Sequence, residues 1–86
     1  MHYIYVLQSI KNGSLYIGYT TDIKRRILEH NRQENLSTKS YAPWKLIFIE
    51  GYLEGKDARR REKYLKSNQG SRLLKRMLKE YFFKNR

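Results

Sequence analysis

Two short runs near the N-terminus, YIYVLQ at residues 3–8 and LYIGY at 15–19, consist mainly of β-branched and aromatic residues, and the KNGS segment between them holds an Asn-Gly pair. That pattern predicts a β-hairpin with a tight turn. With Asn12 and Gly13 as the two turn residues, Lys11 faces Ser14, Ser9 faces Tyr16 and Leu7 faces Gly18. Because side chains alternate along a strand, Tyr5 and Tyr16 then share one face of the ribbon, offset along it, and a one-residue slip would separate them. Asp22 is placed to cap a helix from about Ile23 to Arg32, with Ile23 and Ile27 spaced toward a core. Residues 33–43, QENLSTKSYAP, are polar, end in the only proline and read as a loop. WKLIFIEGY, from Trp44, is a third strand with little polar alternation, a pattern that predicts burial on both faces.

KDARRREKYLK, residues 56–66, has helical propensity, and SNQG at 67–70 is expected to break it. A last helix from about Ser71 to Phe83 would carry Leu74, Met77, Leu78, Tyr81 and Phe82 at helical spacing. The order strand, strand, helix, strand, helix, helix predicts an α+β fold, a three-stranded antiparallel sheet flanked by helices. A chain of 86 residues has material for one core, so residues 1–86 are expected to form one domain.

Charge adds direction to this outline. The net charge is +11, and it is uneven: Met1 to Gly55 holds seven Lys/Arg against five Asp/Glu, whereas Lys56 to Arg86 holds twelve against three. A basic C-terminal third attracts polyanions, with nucleic acid as the expected partner; the plainer alternative is a solvated helical surface. Without cysteine the chain has neither disulfides nor thiolate metal sites, and two histidines alone argue against structural zinc. No apolar run approaches the roughly 18 residues of a membrane span and no cleavable leader is evident, so a soluble cytoplasmic protein is expected.

Several polar residues are in excess of what such a fold requires. Glu62 falls four residues after Ala58 and three before Leu65, which directs a carboxylate toward the protein. A carboxylate placed there needs a cation, hydrogen-bond donors or solvent, so it reads either as a salt bridge to a neighbouring arginine or as a metal ligand lining a cleft. Arg26 offers planar donors suited to phosphate oxygens, although such a residue is also an ordinary surface charge. His30 follows it by one helical turn, and Tyr5 and Tyr16 by themselves are ordinary strand aromatics.

Taken in order, YIY at 3–5, YIG at 16–18, Arg26, His30 and the Arg61-Glu62 pair resemble the GIY-YIG nuclease family, with intervals of eleven residues between the tyrosines and ten from Tyr16 to Arg26. GYTTDIKRR, APWKLIFIE and DARRREKYLKS extend the likeness over nearly the whole chain to the small stand-alone bacterial members. The resemblance implies a metal-dependent phosphodiester cleavage site with Tyr5 and Tyr16 as the signature tyrosines, Arg26 as the helix arginine, Glu62 as the metal-binding glutamate and His30 as a histidine found in several members. The first motif reads Tyr3-Ile4-Tyr5 rather than opening on glycine. Many members carry a late asparagine; Asn68 and Asn85 follow Glu62, and spacing assigns the role to neither.

The expected chemistry follows from these assignments. The eight acidic residues form no DxD or other tight cluster, so one Mg²⁺ or Mn²⁺ ion on Glu62 is the economical arrangement. Arg26 would clamp a non-bridging oxygen. Tyr16 would serve as base, aided by a nearby cation because a tyrosine ordinarily ionises near pH 10, while Tyr5 orients water or phosphate and His30 relays a proton or holds phosphate. Arg25, Arg59, Arg60, Lys63, Lys66, Arg72, Lys75, Arg76 and Lys79 are the candidates for sequence-independent contacts to a nucleic-acid backbone. The activity expected is a DNA endonuclease of structure-selective or low specificity, in repair or recombination, with targeting by another protein as an option. The alternative is a basic nucleic-acid-binding domain that kept the fold without turnover.

Overall fold

The computed structural model describes residues 1–85. Along the chain run β1 (His2–Ser9), β2 (Leu15–Thr20), α1 (Ile23–Asn31), a short 3₁₀ turn (Lys39–Tyr41), β3 (Trp44–Tyr52), α2 (Gly55–Leu65), α3 (Asn68–Met77) and α4 (Lys79–Lys84). The strands form one antiparallel sheet in the order β2-β1-β3, so the first strand is central. No helix among the described residues is long and apolar enough to cross a membrane.

A strand at the centre of a covered sheet must be apolar on both faces, and Ile4, Tyr5, Val6 and Leu7 are all fully buried. Ile4 and Val6 pack with Ala58, Leu65 and Leu74 beneath α2 and α3. Tyr5 and Leu7 point the other way and pack with Trp44, Tyr16, Ile23, Ile27 and Leu46 beneath α1. The two-faced burial expected of β3 therefore belongs to β1. β3 lies at an edge with only Trp44 fully in the interior, and Lys45, Ile49 and Gly51 are exposed. An apolar run shows that a strand is wanted in a sheet; which strand becomes central is a matter of pairing.

The hairpin also departs from expectation. Leu7 pairs with Tyr16 and Tyr5 with Gly18, two residues away from the register of a two-residue turn. Ser9 N donates to Ser14 O at 2.8 Å and Gly13 N to Ser9 O at 2.9 Å, closing a loop over residues 10–13 in which Gly13 holds φ at 80°. Side-chain acceptors favour this longer loop: Ser9 Oγ accepts from the amides of Lys11 and Asn12, each at 3.1 Å, and Asn12 Oδ1 accepts from Ser14 N at 3.0 Å. A shift of two keeps the alternation, so both tyrosines stay on one face, and it moves them closer along the ribbon.

SNQG is not a break in the sense expected. Ser67 caps α3 by accepting from Gly70 N at 3.1 Å, so Asn68, Gln69 and Gly70 form the first turn of a helix. The predicted helix over 71–83 is instead interrupted at Leu78, whose φ of −108° and ψ of 27° leave the helical region, and α4 restarts beyond it. The interruption lets Leu78 pack on the core while the Tyr81 hydroxyl donates to Gln8 Oε1 of β1.

Candidate active site

Tyr5 comes from the central strand, opposite Gly18 on β2. A Cβ at position 18 would lie 2.5 Å from both Cζ and the hydroxyl oxygen of Tyr5, so the ring lies directly across the bare glycine backbone. That path carries the hydroxyl to His30 Nε2, 2.9 Å away on α1, and His30 Nδ1 in turn lies 2.8 Å from Thr38 Oγ1. All three residues are buried.

Burial pushes the Tyr5 hydroxyl up to about 12, with the Arg26 guanidinium acting in the opposite direction and Tyr16 and Glu62 adding to the rise. His30 is shifted down, first by burial and then by the Arg26 charge. Near neutrality Tyr5 is therefore protonated and His30 uncharged. Thr38 Oγ1 has Asn35 O as an acceptor at 3.4 Å. The tautomer that places every proton has Tyr5 O–H donating to His30 Nε2 and His30 Nδ1–H donating to Thr38 Oγ1. His30 is thus a buried strut between the first strand and the loop after α1. Trp44 Nε1, donating to Thr38 O at 2.9 Å, holds that loop in place.

Tyr16 is in a different situation. Its ring centroid lies 6.2 Å from that of Tyr5 and 4.8 Å from that of His30, with Trp44 edge-on at 6.3 Å. It is half-buried, lines a groove with Leu15, Ile17, Leu65, Lys66 and Ser71, and makes no hydrogen bond through its hydroxyl among the described residues. Of the two tyrosines, Tyr16 is the one with surface open to solvent.

On α1, the Asp22 carboxylate accepts from Arg25 N at 3.1 Å and starts the helix that aligns Arg26 and His30 one turn apart. Arg26 Nη1 donates to Glu29 Oε1 at 2.9 Å, and its guanidinium also acts on the Tyr5 hydroxyl, opposing that group's upward shift. Arg25 is largely exposed, 3.8 Å from Glu29.

Glu62 lies on α2 between the buried Ala58 and Leu65, as the spacing predicts, and its side chain is only 15% exposed. Lys66 Nζ stands 3.1 Å from Oε2, and Arg59 Nη1 is 3.9 Å from Oε1, beyond hydrogen-bond length. One carboxylate oxygen thus keeps its acceptor capacity. Although α2 packs on the face opposite Tyr5, the Glu62 charge is felt at the Tyr5 hydroxyl. The described residues contain no group of three or more His, Cys, Asp or Glu that would cage a metal. A single oxygen donor fits a hard cation that keeps most of its water, as Mg²⁺ does.

The remaining cations are dispersed. Arg59 is also stacked 3.9 Å above the Tyr19 ring, and Arg60 pairs with Asp57 at 3.0 Å. Lys63, Arg72, Lys75, Arg76 and Lys79 are exposed along α2, α3 and the start of α4. Asn68 sits exposed in the first turn of α3, and Asn85 donates to Tyr81 O at 2.8 Å near the hairpin end of β1. Thr38 and Trp44 escaped the sequence reading as supports of the site. Thr38 follows His30 by eight residues in a polar loop, where no periodicity marks it.

A family model described as the GIY-YIG catalytic domain matches residues 1–81. The chain belongs to the GIY-YIG family. It is 42% identical over 65 residues to a UPF0213 protein of Streptococcus pneumoniae, covering 74% of this chain and 65% of that one, just under two thirds of the relative's length. It is 37% identical over 75 residues to a UPF0213 protein of Staphylococcus saprophyticus, covering 86% and 90% of the two chains. The solution NMR structure of a UPF0213 protein from Bacillus halodurans superposes with a TM-score of 0.55 at 33% identity, over 88% of this chain and 83% of that one. The antiparallel three-stranded sheet with helices is accordingly the fold of this GIY-YIG chain, and the glycine that closes its second motif is the one Tyr5 lies across.

That contact makes Gly18→Ala a sensitive probe of the GIY-YIG core. The new methyl group must displace a buried ring that is hydrogen-bonded at its far end, so a loss of about 1–3 kcal/mol is expected in urea denaturation. An unchanged midpoint would show that Tyr5 does not lie against position 18.

Proposed function

We propose that the protein is a metal-dependent endonuclease that hydrolyses phosphodiester bonds in DNA, structure-selective or of low sequence specificity, serving repair or recombination. The observation that carries this reading is the inequality of the two tyrosines. Tyr5 is buried, protonated and bonded to His30, whereas Tyr16, its ring centroid 6.2 Å away, is partly exposed and makes no hydroxyl hydrogen bond among the described residues.

In the proposed reaction, a water oxygen attacks phosphorus in line with the leaving oxygen, one P–O bond forming as the other breaks. Tyr16, acting in its phenolate form with its own proton already released to solvent, takes the proton of the attacking water, and the leaving oxygen takes a proton from solvent. Arg26 donates to a non-bridging oxygen through the part of its guanidinium not committed to Glu29. Tyr5 and His30, both buried, do not meet water or phosphate themselves; bonded to each other, they pack against the Tyr16 ring and hold it in position. Glu62 would hold the divalent ion, which when bound supplies charge stabilisation on the phosphoryl and leaving oxygens. The exposed cations of α2 and α3 supply affinity for the backbone without reading bases.

The test uses end-labelled single-stranded, duplex, flapped and branched DNA at low salt with Mg²⁺ or Mn²⁺, and again with EDTA. Cleavage with metal and none with EDTA is expected, falling steeply as salt rises. Salt-sensitive binding without cleavage of any DNA under either metal would replace this reading by that of a non-catalytic binding domain. Absence of binding at low salt would end both.

A further inference from the structure

Lys66, the residue that ends α2, takes part in two features at once. Its amide donates to Glu62 O at 3.2 Å as the helix closes, and its Nζ stands 3.1 Å from Glu62 Oε2. The same residue lines the open groove of about 370 Å³ to which Tyr16 belongs, where it is the one charged residue of the lining. The ion pair is unequal. The Glu62 side chain is 15% exposed and that of Lys66 54%, at the end of a flexible four-carbon stem. A carboxylate so far from water needs a counter-charge, whereas an ammonium half in water loses little by leaving.

Arg59 is not an equivalent partner. Its guanidinium is stacked 3.9 Å above the Tyr19 ring, the Tyr19 hydroxyl lies 2.7 Å from His2 Nδ1, and Arg59 Nη1 stands 3.9 Å from Glu62 Oε1. Arg59 thus flanks the carboxylate from a seat of its own, and Lys66 is the cation bonded to it. A divalent cation held by Glu62 would share the carboxylate with that ammonium, and like charges a few ångströms apart repel. The repulsion falls on Lys66, the partner with the mobile stem.

We propose that Lys66 is the exchangeable counter-ion of Glu62, yielding the carboxylate to a divalent cation and carrying its charge into the groove lined by Tyr16. The affinity of Glu62 for the cation is then set by Lys66 as well as by the carboxylate itself, because each binding event must displace an ion pair. The contribution to cleavage rests on the nuclease reading: the exchange brings a positive charge to the groove where Tyr16 would meet the attacking water at the moment the ion arrives.

The experiment measures metal binding without nucleic acid. Free Mn²⁺ is followed by electron paramagnetic resonance during titration of wild type, Lys66→Met, Lys66→Arg, Lys56→Met and Glu62→Gln. Lys66→Met is expected to bind Mn²⁺ about three- to tenfold more tightly, the size of one partly exposed ion pair no longer displaced. Lys66→Arg should stay near wild type, as should Lys56→Met, which removes an equal charge at the start of the same helix, and Glu62→Gln should lose the site. In wild type, the NMR signals of the Lys66 ε-methylene should move with Mg²⁺ in step with saturation, a readout that needs no variant. Glu62-dependent binding that Lys66→Met leaves unchanged or weakens, equal tightening by Lys56→Met, or ε-methylene signals unmoved at saturating Mg²⁺ would each overturn the inference and leave Glu62 as the ligand. Wild-type affinity in Glu62→Gln would instead remove Glu62 as the ligand, and this inference with it. Tighter binding by Lys66→Met in a protein that cleaves nothing would sink the nuclease reading alone.

Discussion

Replacing Glu62 with glutamine is expected to reduce metal-dependent cleavage by about 10³-fold or more while leaving the fold almost untouched. The carboxylate is the single acidic group that α2 turns inward among Ala58 and Leu65, and its Oε1 is not within hydrogen-bond length of Arg59. Glutamine keeps the size and loses the charge, so the loss would be in whatever the ion contributes, several kcal/mol at a phosphoryl centre, where each 1.4 kcal/mol is about tenfold in rate. Stability would change little, since the bond at risk is to Lys66, a largely exposed partner, and exposed ion pairs contribute about 0–1 kcal/mol. Cleavage assays over a range of Mg²⁺ and Mn²⁺ concentrations, run beside thermal melts, separate the two effects. Undiminished cleavage by a folded Glu62→Gln protein would remove Glu62 from the site.

The second large effect is expected from Tyr16→Phe. Removing one oxygen from a half-buried ring leaves the packing against His30 and Trp44 in place, and no internal hydrogen bond of the described residues is lost. If that oxygen is the proton acceptor for the attacking water, the rate should fall by about 10²–10⁴-fold, the usual contribution of a general base. DNA affinity in EDTA should stay at the wild-type value. Full activity in the variant would sink the assignment, and a parallel loss of binding would make Tyr16 a DNA contact instead. Tyr5 is a poor rival for the role because its hydroxyl, held up at about 12 by burial, gives no base near neutrality and already donates to His30.

The GIY-YIG chain illustrates which features of a site are local. The positions of Arg26 and His30 one turn apart were legible because a capped helix repeats every 3.6 residues. Glu62 was legible as an inward carboxylate for the same reason, flanked by two apolar residues of its own face. What escaped was the identity of its partners: Lys66 is one turn on, but Arg59 is held over Tyr19, a residue of β2. His30 was legible as a helix residue and not as a buried one, because its burial comes from Thr38 in the following loop and Tyr5 on another strand.

The sequence by itself determined the parts that depend on alternation and periodicity: a hairpin with both tyrosines on one face, a helix carrying Arg26 and His30, an apolar third strand and a basic helical end. Tertiary structure decided the two-residue register that sets Tyr5 across Gly18, the central place of β1, the break at Leu78 and the unequal surroundings of Tyr5 and Tyr16. Parity survives a shift of two because it is a property of one strand. Register, strand order and burial come from competition among distant partners, here Ser9 and Asn12 holding the loop and α1 and α2 covering opposite faces of the same strand.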